Sequence, residues 1–294
     1  MGKYVCIDIG GTAIKYGLLD EHAALLEQKE RPTEAMLGGR AVLEKVKETA
    51  GQYCQAGGVE GICISTTGMV DPYRGSILYA NENMPAYQGI CLKEEMEHAF
   101  GVPCEVENDV NCAGLAEYWN GAAKECDNVL CLTVGTGIGA CAILNGKLLR
   151  GASFSACEVG YMDMGGAAFE EVASTTALVR QVAKKKHEEI FCWNGKKIFE
   201  YAEKGDKICL EALAKMADWL GRGIANICYV LNPEVVVLGG GVMQRESILT
   251  SHVRGAVNRH LLPVISSNMR IELAHHHNMA GMLGAWYYYK TMHP

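Results

Sequence analysis

The sequence lacks the paired-cysteine spacings from which disulfide frameworks and thiolate metal sites are built. Cysteine itself is abundant, at 13, but the count is odd and no C-x-C or C-x-x-C pair occurs. Such pairs are typical of disulfide-rich secreted domains and of zinc-binding motifs. We therefore expect reduced thiols and a cytoplasmic protein.

Long apolar runs and basic clusters are also missing. No segment approaches the roughly 20 apolar residues that a membrane span needs, and the first residues do not resemble a secretory signal. The net charge is -7, and the one basic run, at 184–186, is followed after one histidine by two glutamates, as in a solvated helix face. The sequence predicts neither a membrane nor a nucleic-acid partner.

A chain of 294 residues is longer than one compact core usually holds, so we expect two domains. The pattern turns polar at 121–127, which suits a boundary, and the last segment reads as a closely packed helix that returns to the first domain. The predicted domains are residues 1–120 plus 279–294, and residues 121–278. A cleft between domains is a natural ligand site.

Two segments share one design, in which an apolar strand runs into a glycine turn and a second strand. Val5–Thr12 aligns with Leu130–Gly137, and a third glycine cluster, Gly239–Gly241, follows another apolar run. Glycine turns occur in many folds, but three in this order favour an ATP site, because bare backbone amides can approach phosphates closely. Asp8, just before the first turn, can hold Mg²⁺ directly or through water. The residues predicted to bind the nucleotide are Asp8, Gly10, Gly11, Thr12, Thr133, Gly135, Thr136, Gly137, Gly239 and Gly240.

Five motifs together cover nearly the whole chain: Asp8–Thr12, Glu107–Asn111, Thr133–Gly139, Glu158–Gly160 and Val237–Gly241. In combination they resemble the ROK family of sugar kinases and repressors, within the actin-like ATPase superfamily. The resemblance implies an α/β fold with two actin-like (ribonuclease H-like) domains of similar topology around a hinged cleft. Members of the family often form dimers, so a homodimer is expected.

Phosphoryl transfer to a sugar hydroxyl needs a carboxylate that can orient the hydroxyl and accept its proton. Asp109, at a predicted strand-to-helix junction, is the candidate for this catalytic role. The position would equally suit a helix N-cap, and resemblance to the family's Asn-Asp pair favours catalysis. Asn108 is expected to bind a neighbouring hydroxyl.

The resemblance implies further sugar-binding residues in other loops. Gly68 lies on the family's substrate loop, where Thr67 replaces the proline that usually precedes this glycine. Asn83 resembles a sugar-contacting Asn, and Glu158 resembles the Glu that binds hydroxyls near the anomeric carbon.

The segment after Glu158 departs from the family pattern. Most members continue with Gly-His and a cysteine-rich loop that binds zinc, whereas this chain has Gly-Tyr161 and a short loop, 162–169, without cysteine. No zinc is therefore expected. A second sugar-binding Glu normally follows the zinc loop. Glu170 is the nearest candidate and Glu171 the next, since the deletion leaves the register open.

A Glu-x-Gly-Tyr segment without zinc cysteines resembles the branch that contains β-glucoside kinases, and the face of Tyr161 could stack on a second sugar ring. We therefore expect an ATP-dependent kinase for the 6-hydroxyl of a hexose or β-glucoside. A glucokinase or an N-acetylmannosamine kinase is the alternative. A non-catalytic sugar-binding regulator is disfavoured because Asp8 and Asp109 are both retained. A repressor is not expected, since Asp8 lies too near the N-terminus for a preceding helix-turn-helix domain.

Overall fold

The computed structural model describes residues 2–244 and 247–294, and the chain divides into two compact units. The first unit comprises residues 1–120, 150–156 and 278–294, and the second comprises residues 121–149 and 157–277. The short segment 150–156 thus lies with the first unit, although both of its flanks belong to the second.

The first unit is built on a five-stranded sheet of order β3-β2-β1-β4-β7. Its strands are β1 (Lys3–Ile9), β2 (Ala13–Asp20), β3 (Leu25–Pro32), β4 (Val59–Thr66) and β7 (Cys104–Asn108). The first three form an antiparallel meander, while β1, β4 and β7 are parallel. Because parallel strands end at the same edge, Asp8, Thr66 and Asn108 lie on neighbouring strand ends.

Two helices of the first unit pack on each face of this sheet. One face buries α1 (Gly39–Cys54) and α2 (Leu92–Phe100), and α1 contributes Val42, Val46 and Ala50 at helical spacing. The other face carries α3 (Asp109–Asn120) and the C-terminal helix α10 (Ala280–Met292). The C-terminal helix therefore lies within the first unit.

The second unit repeats the plan with a sheet of order β10-β9-β8-β11-β12. Its strands are β8 (Val129–Val134), β9 (Ile138–Leu144), β10 (Lys147–Leu148), β11 (Val235–Gly239) and β12 (Arg270–Leu273). Its helices are α4 (Phe169–Ala173), α5 (Thr175–Lys186), α6 (Gly195–Glu203), α7 (Lys207–Leu231), α8 (Ile248–His260) and α9 (Pro263–Ser266). The long helix α7 ends at Asn232, in the left-handed conformation that closes helices, directly before a proline.

Both sheets follow one topology: an antiparallel hairpin and third strand on one side, and two parallel strands on the other. The hairpin β1-β2 corresponds to β8-β9, so the two predicted glycine turns occupy equivalent places. The predicted α/β fold with two units of similar topology is confirmed.

Some elements were not predicted. The substrate loop that contains Gly68 continues into the short strand β5 (Met69–Asp71), which pairs with β6 (Ser76–Tyr79). The edge strand β3 was missed because most of its side chains are exposed, which removes the alternation that marks a half-buried strand. Among the described residues, no helix combines the length and apolar character needed to cross a bilayer.

The contact between α10 and α3 gives a test of the packing. A Cβ atom on Gly284 would lie 1.7 Å from the carbonyl oxygen of Cys112, so Gly284→Ala must push the helices apart and should lower the free energy of unfolding by about 1–3 kcal/mol or more. Urea denaturation measures this change.

Gly255→Ala is the matched control, because Gly255 lies within α8 and its Cβ would meet nothing closer than 3.7 Å. This variant should be stabilised by about 0.5–1 kcal/mol. Equal effects of the two substitutions would show that the close helix contact does not exist.

Candidate active site

The candidate base lies where β7 passes into α3. Asn108 caps this helix, because its side-chain oxygen accepts hydrogen bonds from the backbone N–H groups of Val110 (2.9 Å) and Asn111 (3.0 Å). The N-cap role weighed for Asp109 is therefore taken by its neighbour. Asp109 is the first residue of α3, and its Oδ1 accepts a hydrogen bond of 3.0 Å from the Asn108 amide.

The Asn108 amide also donates to the carbonyl oxygen of Gly68, at 2.9 Å. Gly68 has a φ of +94°, and a Cβ there would lie 2.6 Å from the carbonyl oxygen of Tyr79, so only glycine suits the position. The substrate loop and the Asn-Asp pair are thus joined directly. Both amide protons of Asn108 are used within the protein, so a bond to a sugar hydroxyl must replace one of these contacts.

Asp8, the second carboxylate predicted to take part in the site, lies near the end of β1. Ser65 donates a hydrogen bond of 2.7 Å to its Oδ1, and a Cβ on Gly281, in the first turn of α10, would lie 2.4 Å from the carboxylate. Burial raises the pKa of Asp8, while Ser65 and Lys15 lower it. A nearby cation would therefore favour the ionised carboxylate, which fits a ligand of Mg²⁺.

The first glycine turn follows Asp8 and is supported from behind by Thr33. The Thr33 hydroxyl donates to the Gly10 carbonyl oxygen at 2.6 Å, and its N–H donates to the Thr12 carbonyl oxygen at 2.9 Å. Gly11 and Thr12 are exposed at the tip. The buried threonine thus fixes the shape of a turn whose outer side is open to a ligand.

The second glycine turn is held by the start of α5. The carbonyl oxygens of Gly135 and Thr136 accept hydrogen bonds from the Thr175 N–H (2.9 Å) and the Thr176 hydroxyl (2.7 Å). The Gly135 N–H donates to Gly137 across the turn, at 3.0 Å. The two glycine turns are therefore held by different parts of the protein: the first by Thr33 and the second by the start of α5. Thr133, the remaining predicted residue of this turn, is half-buried at the end of β8 and pairs with Gly139 of β9.

Two carboxylates of the second unit lie close to this turn. Glu170 Oε2 lies 3.4 Å from the Ile138 N–H that points at it, and a Cβ on Gly137 would meet the same oxygen at 2.4 Å. Glu158 lies near enough to Glu170 for their charges to repel. The partial loss of solvent and, to a smaller extent, this repulsion raise the pKa of Glu158.

The third glycine cluster borders a cavity of the second unit. Gly240 has a φ of +97°, and a Cβ there would lie 2.2 Å from the Val134 carbonyl oxygen, so the chain passes β8 as bare backbone. Beside it is a cavity of about 460 Å³ whose lining includes Gly195, Lys196, Phe199, Glu200, Gly241 and Val242. The lining residues from α6 were missed because a helix of ordinary amphipathic pattern carries no motif.

The ROK family profile matches residues 4–292. The chain belongs to the ROK family. An uncharacterized protein of Clostridium perfringens is 45% identical over 290 residues, covering 99% of this chain and 98% of its own. A β-glucoside kinase of Klebsiella pneumoniae is 31% identical over 299 residues, covering 99% and 97%.

Solved ROK structures share the fold. A ROK glucokinase of Streptomyces griseus in complex with glucose and AMPPNP has a TM-score of 0.85 at 27% identity, covering 97% of this chain and 98% of its own. A ROK protein of Streptococcus pneumoniae in complex with sucrose has a TM-score of 0.87 at 30% identity, covering 99% of each. The predicted family and fold are confirmed, and the protein is an ATP-dependent carbohydrate kinase by class.

The loop at 162–169, after Glu158, is held by hydrogen bonds. Oδ1 of Asp163 accepts from the N–H groups of Gly165 (3.2 Å) and Gly166 (2.7 Å), and both glycines have positive φ. The backbone closes the loop between Met162 and Phe169, at 2.8 Å. Within residues 2–244 and 247–294, no group of three His, Cys, Asp or Glu side chains is arranged to hold a metal.

The two candidates for the second sugar-binding Glu follow this loop and make different contacts. Glu171 Oε2 accepts a hydrogen bond of 2.9 Å from the Ala168 N–H and so caps α4. Glu170, by contrast, lies beside Glu158 and the glycine turn. Tyr161 is 54% exposed, and Asn83 is exposed in a separate turn, where its N–H donates to the Asn81 side chain at 3.1 Å.

The carboxylate pair generates a pH-dependent prediction. An ionised Glu158 would accept stronger hydrogen bonds from sugar hydroxyls than the neutral acid, so kcat/KM for the sugar should fall as the pH drops through its raised pKa. Glu170→Gln removes the repelling charge and should move this acid limb to lower pH. Steady-state kinetics between pH 4 and 8 (roughly the range in which a raised Glu pKa falls) would measure the shift.

Glu171→Gln is the control, because this neighbouring carboxylate caps α4 and should leave the acid limb in place. An unmoved limb in Glu170→Gln would mean that the two carboxylates are not coupled.

Proposed function

We propose that this ROK protein transfers the γ-phosphoryl group of ATP to the 6-hydroxyl of a hexose or β-glucoside, with β-glucosides favoured. The observation that carries the preference is the segment after Glu158. There an exposed aromatic ring, Tyr161, precedes a short loop held by its own hydrogen bonds. An aromatic face of this kind supports stacking with a second ring at C1.

The chemical step follows from the proposed role of Asp109. Its carboxylate accepts the proton of the 6-hydroxyl as the new O–P bond forms and the bond between the β- and γ-phosphates breaks, releasing ADP. The bond from Asn108 orients the carboxylate, and the bond from Asn108 to Gly68 ties this pair to the substrate loop.

Phosphate binding is proposed for the two glycine turns, whose shapes are set by Thr33 and by the start of α5. Adenosine is proposed to occupy the cavity beside Gly241. Mg²⁺ would be held by Asp8, directly or through water, and supplies positive charge to the phosphates. Mg²⁺ usually takes one or two carboxylates and otherwise water and phosphate, which suits a single carboxylate.

Two broader expectations belong with this proposal. None of the 13 cysteines, all of which lie in the described part of the chain, forms a disulfide, which supports a reducing compartment such as the cytoplasm. The homodimer stays a prediction.

The substrate preference is tested by coupled ADP release with cellobiose, aryl β-glucosides, glucose and N-acetylmannosamine. β-Glucosides should give the highest kcat/KM. Tyr161→Leu should lower that value by about 2- to 10-fold for β-glucosides and leave glucose less affected, as expected for the loss of a stacking contact.

Phe191→Leu, which removes another exposed aromatic ring of the second unit, is the control and should change neither substrate. Good turnover of glucose or N-acetylmannosamine with no rate for any β-glucoside would refute the preference and favour the alternative substrates.

The base assignment predicts that Asp109→Asn lowers kcat by about 10²- to 10⁴-fold with little change in sugar affinity. Rapid-quench turnover and calorimetric sugar titration separate the two quantities. Asp218→Asn removes an exposed carboxylate on α7 that pairs with Arg259 and should keep normal kinetics. Near-normal kcat in Asp109→Asn would exclude Asp109 as the base.

A further inference from the structure

A buried ion pair lies directly before the Asn-Asp pair. Glu107, the residue preceding Asn108, has a side chain that is 2% exposed, and its Oε2 accepts two hydrogen bonds from Arg150. These come from Nε at 3.1 Å and from Nη2 at 2.9 Å. A carboxylate so enclosed needs a cation with fixed geometry, which a guanidinium supplies.

The second oxygen of Glu107 acts on the start of α3. Oε1 accepts hydrogen bonds from the Asn108 N–H at 2.8 Å and from the Asn111 side-chain amide at 2.9 Å. Asn108 in turn donates to Asp109. An unbroken series of hydrogen bonds therefore runs from the guanidinium to the proposed base.

Arg150 is itself held on its other side. Its guanidinium carbon lies 5.3 Å from the centre of the Tyr288 ring on α10, a cation–π distance. The guanidinium thus joins the end of β7 to the C-terminal helix, and its position is set by two elements of the first unit.

The segment that carries Arg150 is strained and anchored. Phe154 packs edge-on against Tyr73, with ring centres 5.7 Å apart, and its φ is +57°. Bulky residues keep positive φ only where surrounding contacts enforce it. This segment is the part of the chain that lies with the first unit between two stretches of the second, and it leads directly into Glu158.

We propose that Arg150 is a positioning residue for phosphoryl transfer: by fixing Glu107, it fixes the cap of α3 and hence the carboxylate of Asp109. The inference rests on the proposed role of Asp109 as the base. Lysine cannot replace the guanidinium fully, because a single ammonium lacks the planar array that donates through Nε and Nη2 together.

The alternative is that the ion pair only stabilises the fold. A stability role predicts variants with a lower melting temperature and normal kcat in the folded fraction. A positioning role predicts a lower kcat with an ATP KM that stays close to the wild-type value, because a small displacement of a reacting group costs turnover rather than nucleotide binding.

The test compares Arg150→Ala, Arg150→Lys and Arg31→Ala in the full chain, with folding checked by circular dichroism and thermal melting. Arg31 pairs with Glu48 at 3.1 Å on the surface of the same unit, so its loss should leave kcat unchanged. Arg150→Ala should lower kcat by about 100-fold, and Arg150→Lys by about 10-fold, through misplacement of the base.

Chemical rescue gives a readout that a purely structural role would not move. Millimolar guanidinium chloride should restore about 10-fold of kcat to Arg150→Ala by occupying the space of the lost guanidinium beside Glu107. It should restore nothing to Asp109→Asn or Arg31→Ala. If Arg150→Ala fails to fold, Arg150→Lys decides the question through its kcat.

Wild-type kcat in folded Arg150→Lys or Arg150→Ala would overturn the inference, as would an absence of rescue. These outcomes are distinct from failure of the proposed base. An active Asp109→Asn would remove the base assignment, whereas an inactive Asp109→Asn beside fully active Arg150 variants would remove only the positioning role.

Discussion

The parallel pairing of β1, β4 and β7 is the constraint on which the candidate site of the first unit depends. Because the three strands run in one direction, their last residues lie at one edge of the sheet. Asp8, the loop at Gly68 and the Asn-Asp pair follow from that single arrangement. The second unit repeats it with β8, β11 and β12, which places one glycine cluster and one glycine turn at neighbouring strand ends.

Two carboxylates near this edge, Asp8 and Glu107, lose solvent on folding, which disfavours their ionised form. The protein surrounds them with different partners. Burial raises the pKa of Asp8, and the Ser65 hydroxyl together with Lys15, the cross-strand partner of Asp8, only partly offsets it. Such a group is easier to ionise when a cation arrives with the nucleotide. Glu107 is instead paired permanently with a guanidinium. Glu107 thus has a fixed cationic partner and holds its neighbours in place, while Asp8, the proposed metal ligand, is held by a serine hydroxyl.

The loop after Glu158 takes its shape from hydrogen bonds within the loop. One aspartate and two glycines of positive φ fold residues 162–169 into a compact turn. The turn delivers Glu170 to the side of the glycine turn, and the contact leaves no room for a side chain at Gly137. The residue proposed to bind the sugar and the turn proposed to bind phosphate are therefore in contact within the second unit.

Local sequence determined the strands, the glycine turns and the ends of most helices, because alternating apolar residues, glycine and proline act over a few residues. The family and the pair of similar sheets also followed from these local motifs. Edge strand β3 did not, since its mostly exposed side chains lack the alternation of a half-buried strand.

Only the tertiary structure decided the roles of neighbouring residues. It made Asn108 rather than Asp109 the helix cap, and it placed Glu170 beside the glycine turn while Glu171 caps α4. These differences depend on which backbone groups come within hydrogen-bond reach. It also brought Arg150 to Glu107 across 43 residues of sequence. No local pattern encodes such a pairing, since the energy of a buried ion pair depends on partners that only the folded chain brings together.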